Sequence, residues 1–542
     1  MGEPANVVSF DPTSLGPDPD GVGSATLASQ AEAAAPPDPD LRHDSVERST
    51  GDTTETVVRG ARPMMTAQIV TVATRAIVSL LTAVLLVPKD LGIIAIAATI
   101  MMFLDQIRDM GTGVTLIQRA ALKNSVICTI FLFNLLVGAS LTLVQFATAA
   151  PLASWLNEPS ARGVLMALAP CALILSTGQV HHALLRRDLR YREIALVSMF
   201  GTLANGIVTI AGALAGWGAW ALAAGIGVGY LVDTALSWYY DKWRPWAEWH
   251  VDWRGTNEVV GFSLNVFFAN FVRFLFAETD TIVVQLLLGT SSLGLYSYAQ
   301  RILSYPQSAV SNIVGELTLP AFAKHQTDDE ALARGITRSA GVVAVLTFPM
   351  MAGLAAVARP VVNGLLAPAW HDLTPLIWLL APFGAGVSIS VMCGSLLLAK
   401  GSGRGYFRWV MISTAPVMIA FVIGLYWGLI AACGFSTGVF FLLAPYYLHL
   451  CLREINLGVW RFLASLAPTA AITTVMVGVV LGVDALAGRY LSVLPVLAIG
   501  VASGGAVYLG AMYLFRPPAF EDAVSTILRR NRTAGDAVAA EV

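Results

Sequence analysis

Arg75, Arg273 and Arg301, with Glu278 and Asp280, lie inside long apolar stretches of this chain. An arginine held in hydrocarbon costs ~3 kcal/mol on insertion scales, so such residues face a protein interior or a wet cavity. The planar guanidinium donates two parallel hydrogen bonds and suits phosphate. The chemistry expected of Arg75, Arg273 and Arg301 is therefore capture of an anionic, phosphate-bearing substrate. The competing reading is structural pairing, Arg301 with Asp280 and Arg273 with Glu278, which makes the two acids charge partners or ion-coupling groups. Asp280 lies nine residues before Gly289 and Arg301 nine after Ser292, so an antiparallel hairpin brings them to similar depth. Arg273 and Asp280 are seven apart and share a helix face. Arg75 has no acid within its own apolar segment, which makes it the strongest of the three.

The elements that position these charges must sit in lipid. Hydrophobic residues make up 56% of the chain, charged residues 13%, and the mean hydropathy is +0.68. A soluble domain carries about 25% charge. The segments are continuously apolar rather than alternating, which favours helices over a barrel. Fourteen are long enough to span, given that a crossing helix needs ~20 residues. They run at 63–87, 91–108, 124–149, 162–183, 193–215, 218–240, 259–289, 292–322, 335–366, 372–399, 405–427, 429–451, 462–484 and 491–514. The fold class expected is an all-α polytopic membrane protein of about 14 transmembrane helices. Arg75 lies 13 residues from the outer end of span one. At ~1.5 Å per residue it is ~20 Å deep, near the middle of a ~30 Å core.

Basic residues alternate between loops. Arg119 and Lys123 follow span two, and Arg186, Arg187, Arg190 and Arg192 follow span four. Lys242, Arg244 and Arg254 follow span six, and the pattern continues to Arg516, Arg529, Arg530 and Arg532 after the last. The positive-inside rule makes these loops and both termini cytoplasmic. The opposite loops are short, and Trp155, Trp217, Trp220, Trp370 and Trp427 read as an interfacial belt there. Residues 1–56 carry eleven acids, seven prolines and no apolar run, the composition of a disordered tail rather than a signal peptide.

The chain repeats itself. Leu91-Gly92 matches Leu293-Gly294, Ala169-Pro170 matches Ala381-Pro382, and Trp217-Gly218 matches Trp427-Gly428, at offsets of 202, 212 and 210. Spans one to six and seven to twelve thus read as two parallel, pseudo-symmetric six-helix lobes, a transporter arrangement with its site between the halves. The expected organisation is a disordered tail at 1–60, an N-lobe at 61–240, a cytoplasmic linker at 241–258 and a C-lobe at 259–451. Two extra C-terminal helices follow at 452–515, then a cytoplasmic tail at 516–542.

Enzyme chemistry looks absent. There is no phosphate-cradling glycine loop, no HExxH and no outer loop long enough for a catalytic site, so no catalytic residue, cofactor or metal is expected. A net charge of −2 with no basic face outside the cytoplasmic loops gives no sign of nucleic acid. The five cysteines form no CxxC pair and read as small core hydrophobes. His181-His182 reads as a solvated helix end, and Arg186–Arg192 as a topology determinant.

Several ordered stretches resemble one family. They are Leu104-Asp105…Asp109-Met110-Gly111…Ile117-Gln118-Arg119, then Gln179…Arg187-Asp188-Leu189-Arg190-Tyr191, then Gly216-Trp217-Gly218-Ala219-Trp220. Asp280…Leu293-Gly294-Leu295-Tyr296-Ser297-Tyr298-Ala299 and Leu319-Pro320-Ala321-Phe322-Ala323-Lys324 follow, with Trp370. Over about 60–450 the chain is similar to the bacterial oligosaccharide flippases, the polysaccharide-transporter branch of the multidrug/oligosaccharidyl-lipid/polysaccharide exporter superfamily. Among these, it resembles lipopolysaccharide- or colanic-acid-type exporters. The resemblance implies two six-helix lobes around a central cavity that opens to either side in turn. It implies transport of an undecaprenyl-diphosphate-linked oligosaccharide from the inner to the outer leaflet of the bacterial cytoplasmic membrane, for cell-surface polysaccharide synthesis. It carries the diphosphate role onto Arg75. One departure stands out. The family's arginine eight residues before the glycine that follows the first helix of each lobe is replaced by Val84 and Leu286. The deep arginines matter more for that reason.

Other readings are a lipid II flippase, or a cation-coupled multidrug exporter, which favours acids in its cavity. From another class, an integral-membrane polysaccharide polymerase or ligase needs a larger outer loop. Expected partners are the lipid-linked oligosaccharide and membrane lipids, with a polymerase and glycosyltransferases implied by the resemblance. A monomer is expected.

Overall fold

The computed structural model describes residues 50–109, 112–118, 123–246, 271, 274, 278–324, 326, 328–488, 490–518, 520 and 521. The chain is helical, as its apolar runs require. In order come α1 (Thr50–Leu85), α2 (Pro88–Asp109), the short α3 (Thr112–Gln118), α4 (Asn124–Trp155), α5 (Ala161–Leu168), α6 (Pro170–Arg187), α7 (Tyr191–Leu214) and α8 (Ala219–Tyr240). Then come α9 (278–288), α10 (Thr290–Lys324), α11 (Asp329–Leu365), α12 (Leu373–Ala399), α13 (Gly403–Leu425), α14 (Leu429–Leu452), α15 (Val459–Ala487) and α16 (Val493–Phe515).

Twelve spans among the described residues are long and apolar enough to cross a membrane. They coincide with twelve of the fourteen expected. The other two are spans seven and eight, the pair that carries Arg273, Glu278, Asp280 and Arg301. Span eight is α10, one continuous 35-residue helix whose polar run includes Gln300, Arg301, Ser304 and Gln307. Span seven is described at Phe271, Phe274 and along α9.

Span four is divided. Pro170 takes the first position of α6, where its missing N–H costs nothing, and α5 ends just before it. The helix of span one starts earlier than expected. It begins at Thr50, so the last eleven residues of the expected disordered tail, 50–60, are helical.

One bundle packs α1 and α8 on α7, and α4 and α8 on α6. A second packs α10, α11, α13 and α14 around α12, with α15 and α16 against α11. The two halves meet where α2 lies along α10. The largest core cluster runs through that seam, joining Leu91, Ile93 and Ile94 to Leu293, Tyr296 and Ala299.

The end of the bundle with the short loops is sealed by polar bonds between the halves. Trp370 Nε1 donates to Leu86 O at 3.1 Å, and Gln285 Nε2 to Leu156 O at 2.8 Å. Thr290 Oγ1 donates to Glu158 Oε2 at 2.8 Å, while Lys89 Nζ lies 3.5 Å from Glu158 Oε1. Burial pushes the Glu158 carboxyl up, but hydrogen bonds from Ser160 and Thr290 and the Lys89 ammonium outweigh it. The group ends below its ordinary value of 4.5.

Two expectations about surfaces fail. Trp155, Trp217, Trp220 and Trp427 are exposed as a belt requires, but Trp370 is wholly buried, because its indole fills the seam between the halves. His181 is not a solvated helix end either. Its ring is wholly buried, with Nδ1 2.8 Å from Asp241 Oδ2. It lies 4.3 Å from the Trp238 ring and 5.6 Å from Trp243. Asp241 begins the expected linker, and Arg244 lies 5.5 Å over the same Trp238 ring. Residues 241–246 are therefore pinned to the first bundle; 247–258 lie outside the described residues. The five cysteines are buried and form no disulfide, as small core hydrophobes should.

Candidate functional site

Arg75 projects from α1 and Arg301 from α10, and both line one cavity of about 460 Å³. Small residues make room for it. Gly206 of α7 meets α1 so closely that an added Cβ would lie 2.6 Å from a methyl of Val78. Tyr305 Oη donates to Arg75 O at 3.4 Å and Tyr298 Oη to Ser79 O at 3.0 Å, which fixes α1 along α10. Both guanidiniums lack a hydrogen-bonding or ionic partner among the described residues. The far wall is polar: Ser198, Thr202 and Asn205 from α7, with Tyr230 and Asp233 from α8.

The Arg301–Asp280 pair does not form. Asp280 accepts from Tyr296 Oη at 2.7 Å, from Gln300 Nε2 at 3.1 Å and from the Thr281 backbone N–H at 2.7 Å. Tyr296 and Gln300 are four apart and share a face of α10. Arg301 lies one residue on, about 100° around the helix, and points elsewhere. Asp280 instead lines a separate cavity of about 530 Å³ in the second bundle, with Gln307 and Ser304. Glu278 accepts from Thr99 Oγ1 of α2 at 3.2 Å. Arg273, and with it the Arg273–Glu278 pair, lies outside the described residues.

Two further spaces adjoin the arginine cavity. An apolar groove of about 660 Å³ runs between α1, α10, α11, α15 and α16, lined by residues such as Leu80, Met350, Val480, Val501 and Leu509. It shares Ser79 and Tyr305 with the arginine cavity. On the other side a chamber of about 320 Å³ lies between α2, α3, α6 and α8, with Arg108, Gln179, His182 and Arg186 on its walls. It shares Tyr230 and Asp233 with the arginine cavity. Arg108 is already held there, by Asp105 at 3.1 Å and by Gln179 Oε1 at 2.6 Å.

Asp233 went unread in the sequence. The signal was present, because it is the one Asp, Glu, Lys or Arg within 219–240, and a lone acid in a spanning helix marks a functional candidate. Glu158, Gln285 and Thr290 carried no such signal, since each falls at a loop or span edge where polar residues are ordinary. Among the described residues no group of three or more His, Cys, Asp or Glu could hold a metal ion.

A family model described as a polysaccharide biosynthesis protein matches residues 81–375, more than half of the chain. The chain belongs to that family. Among curated relatives it is 28% identical over 331 residues to the succinoglycan biosynthesis transport protein ExoT of Rhizobium meliloti, covering 60% of this chain and 66% of that one. It is 25% identical over 339 residues to the lipopolysaccharide biosynthesis protein WzxC of Escherichia coli, covering 61% and 68%. The chain thus spans about two thirds of the length of these relatives. Among solved structures, the lipid II flippase MurJ in an inward closed conformation matches with a TM-score of 0.63 at 16% identity, over 83% of this chain and 98% of that one. An inward-facing multidrug resistance MATE family transporter matches with a TM-score of 0.54 at 14% identity, over 74% and 100%. The fold of this polysaccharide biosynthesis family member is therefore shared with transporters of two kinds.

Proposed function

We propose that this protein moves an undecaprenyl-diphosphate-linked oligosaccharide across the bacterial cytoplasmic membrane by alternating access, for synthesis of a surface polysaccharide. The observation that carries this reading is the junction at Ser79 and Tyr305. There a cavity lined by Arg75 and Arg301, whose guanidiniums have no hydrogen-bonding or ionic partner among the described residues, adjoins a long apolar groove. A lipid tail fits the groove, where burial gains ~25 cal/mol per Å² of apolar surface. A diphosphate fits the two guanidiniums, which donate charge-assisted hydrogen bonds to its oxygens. The names of the relatives, transport and lipopolysaccharide proteins, point the same way.

In this reading the basic loops and both termini are cytoplasmic, the two six-helix lobes rock about the α2–α10 seam, and the sealed short-loop end is the outer gate. Arg273 is the third cationic ligand. Glu278 and Asp280 tune charge rather than bind phosphate. The protein is not an enzyme and acts beside a polymerase and glycosyltransferases.

The test is flipping of lipid-diphosphate oligosaccharide in proteoliposomes. Arg75→Ala and Arg301→Ala should each slow transport at least tenfold with insertion intact. Wild-type rates in both variants would overturn the phosphate assignment.

A further inference from the structure

The three adjoining spaces come in a fixed order. The apolar groove meets the arginine cavity at Ser79 and Tyr305, and the arginine cavity meets the polar chamber at Tyr230 and Asp233. A polyprenyl-diphosphate-linked sugar has the same order along its own length: apolar tail, anionic diphosphate, hydroxyl-rich head. With the tail in the groove and the diphosphate on Arg75 and Arg301, the first sugar falls at Tyr230 and Asp233.

The chemistry at that junction suits a sugar better than a second phosphate. The Asp233 carboxylate makes no hydrogen bond or ion pair among the described residues, and it can accept from two neighbouring hydroxyls at once. Tyr230 offers a hydroxyl and an apolar ring face, the amphipathic combination that packs on the C–H face of a pyranose. Asn205 and Thr202 add a donor and acceptor set on the adjoining wall. Phosphate would meet the Asp233 carboxylate there; of the chamber's two arginines, Arg108 is already committed to Asp105 and Gln179, and Arg186 is left to donate to sugar hydroxyls. The chamber volume of about 320 Å³ lies within the ~300–1,000 Å³ range of small-molecule sites.

The second bundle offers the rival location. Its cavity is also polar, but it shares no lining residue with the arginine cavity, and its acid, Asp280, is already bonded to Tyr296 and Gln300.

We infer that the chamber of the first bundle is the oligosaccharide subsite, in which Asp233 and Tyr230 read the sugar attached to the diphosphate. This rests on the proposed function, and the test separates the two. The full-length protein in nanodiscs is exposed to an equimolar mixture of undecaprenyl diphosphate and the undecaprenyl-diphosphate oligosaccharides extracted from host membranes. Native mass spectrometry then counts which species is bound. Wild type should hold the sugar-bearing lipid in about tenfold excess, the increment of one charge-assisted hydrogen bond. Asp233→Asn and Tyr230→Phe should bring the ratio close to one while total occupancy stays near wild type. Arg75→Ala should lower both lipids together. If the ratio survives both Asp233→Asn and Tyr230→Phe, or collapses with Gln307→Ala in the second bundle, the subsite assignment is wrong although the lipid-diphosphate reading stands. If neither lipid occupies wild type, both readings fall. Melting temperatures of the two conservative variants close to wild type exclude misfolding as the cause.

Discussion

Gly92 of α2 packs against the carbonyl oxygen of Thr290 so closely that an added Cβ would lie 1.9 Å from it. The contact is reciprocal. A Cβ on Gly294 would lie 1.8 Å from Pro88 O, and Thr290 precedes Gly294 by the same four residues that separate Pro88 from Gly92. Backbone cannot yield as a flexible side chain can, so the two helices approach at this distance only because both positions lack a side chain. Gly92→Ala or Gly294→Ala should push the short-loop end open. The five native cysteines are buried, which leaves a low background for a reporter thiol. Leu293→Cys, wholly buried in the seam, should react at least tenfold faster with a membrane-impermeant thiol reagent when either glycine is replaced. An unchanged rate would mean that the seam does not carry the seal.

Acid should loosen the same end. Glu158 joins α4's loop to Thr290 and Lys89, and its carboxyl sits below 4.5 in the sealed form. A carboxyl depressed in the sealed form stabilises that form fully above its free value, and the contribution disappears as pH falls through the depressed one. The rate of Leu293→Cys labelling, divided at each pH by that of a free cysteine because the thiolate is the reacting form, should be flat from pH 8 to about 5, then rise below about 4.5. Glu158→Gln should abolish the rise. A rate relative to the free cysteine that increases from pH 5 to 8 would contradict this assignment.

Arg75 and Arg301 should act on one ligand. If both guanidiniums hold the same diphosphate, each replacement by alanine should weaken undecaprenyl diphosphate binding by about 1.5–3 kcal/mol. A double-mutant cycle should show coupling above about 0.5 kcal/mol. Asp280→Asn, in the separate cavity, should leave that affinity within twofold. Strict additivity of the two arginine variants would place them on different ligands or on none.

The apolar groove should measure chain length. Gly505 lines it and has open space beyond its Cα. Gly505→Leu should fill part of the groove and weaken a full-length polyprenyl diphosphate, while a short-chain analogue loses little. Each CH₂ expelled from an apolar site costs about 0.8 kcal/mol. Equal losses for long and short chains would rule out the groove as the tail site.

The His181–Asp241 pair should be structural. Removing one member of a buried pair leaves the other uncompensated, at a cost of about 3–5 kcal/mol. His181→Ala should therefore lower the melting temperature clearly, yet leave lipid binding by the folded fraction unchanged. A stable variant with altered binding would give His181 a role in transport instead.

Helix number and type were legible because lipid imposes one rule on every span: a run of ~20 apolar residues with its backbone bonded internally. The rule located twelve spans that the structure reproduces and named Arg75 and Arg301 as out of place. It was weaker at edges. Thr50–60 is helical although its composition is that of a tail, because a helix already nucleated in the apolar segment extends at low cost. It also misassigned Trp370 and His181, since a polar aromatic at a span end looks the same whether it meets water or a neighbouring helix.

By itself, then, the sequence determined that this is a multi-span helical membrane protein of a polysaccharide biosynthesis family, with cations inside apolar spans as its most unusual feature. Hydropathy is a property of each segment alone, so no partner is needed to read it. Which charges pair is a property of two segments at once. Only the tertiary structure decided that Asp280 bonds Tyr296 and Gln300, leaving Arg301 on the wall with Arg75. Only it joined Asp233 to that wall, because helix rotation and interhelical packing, which no linear pattern records, set the direction in which each side chain points.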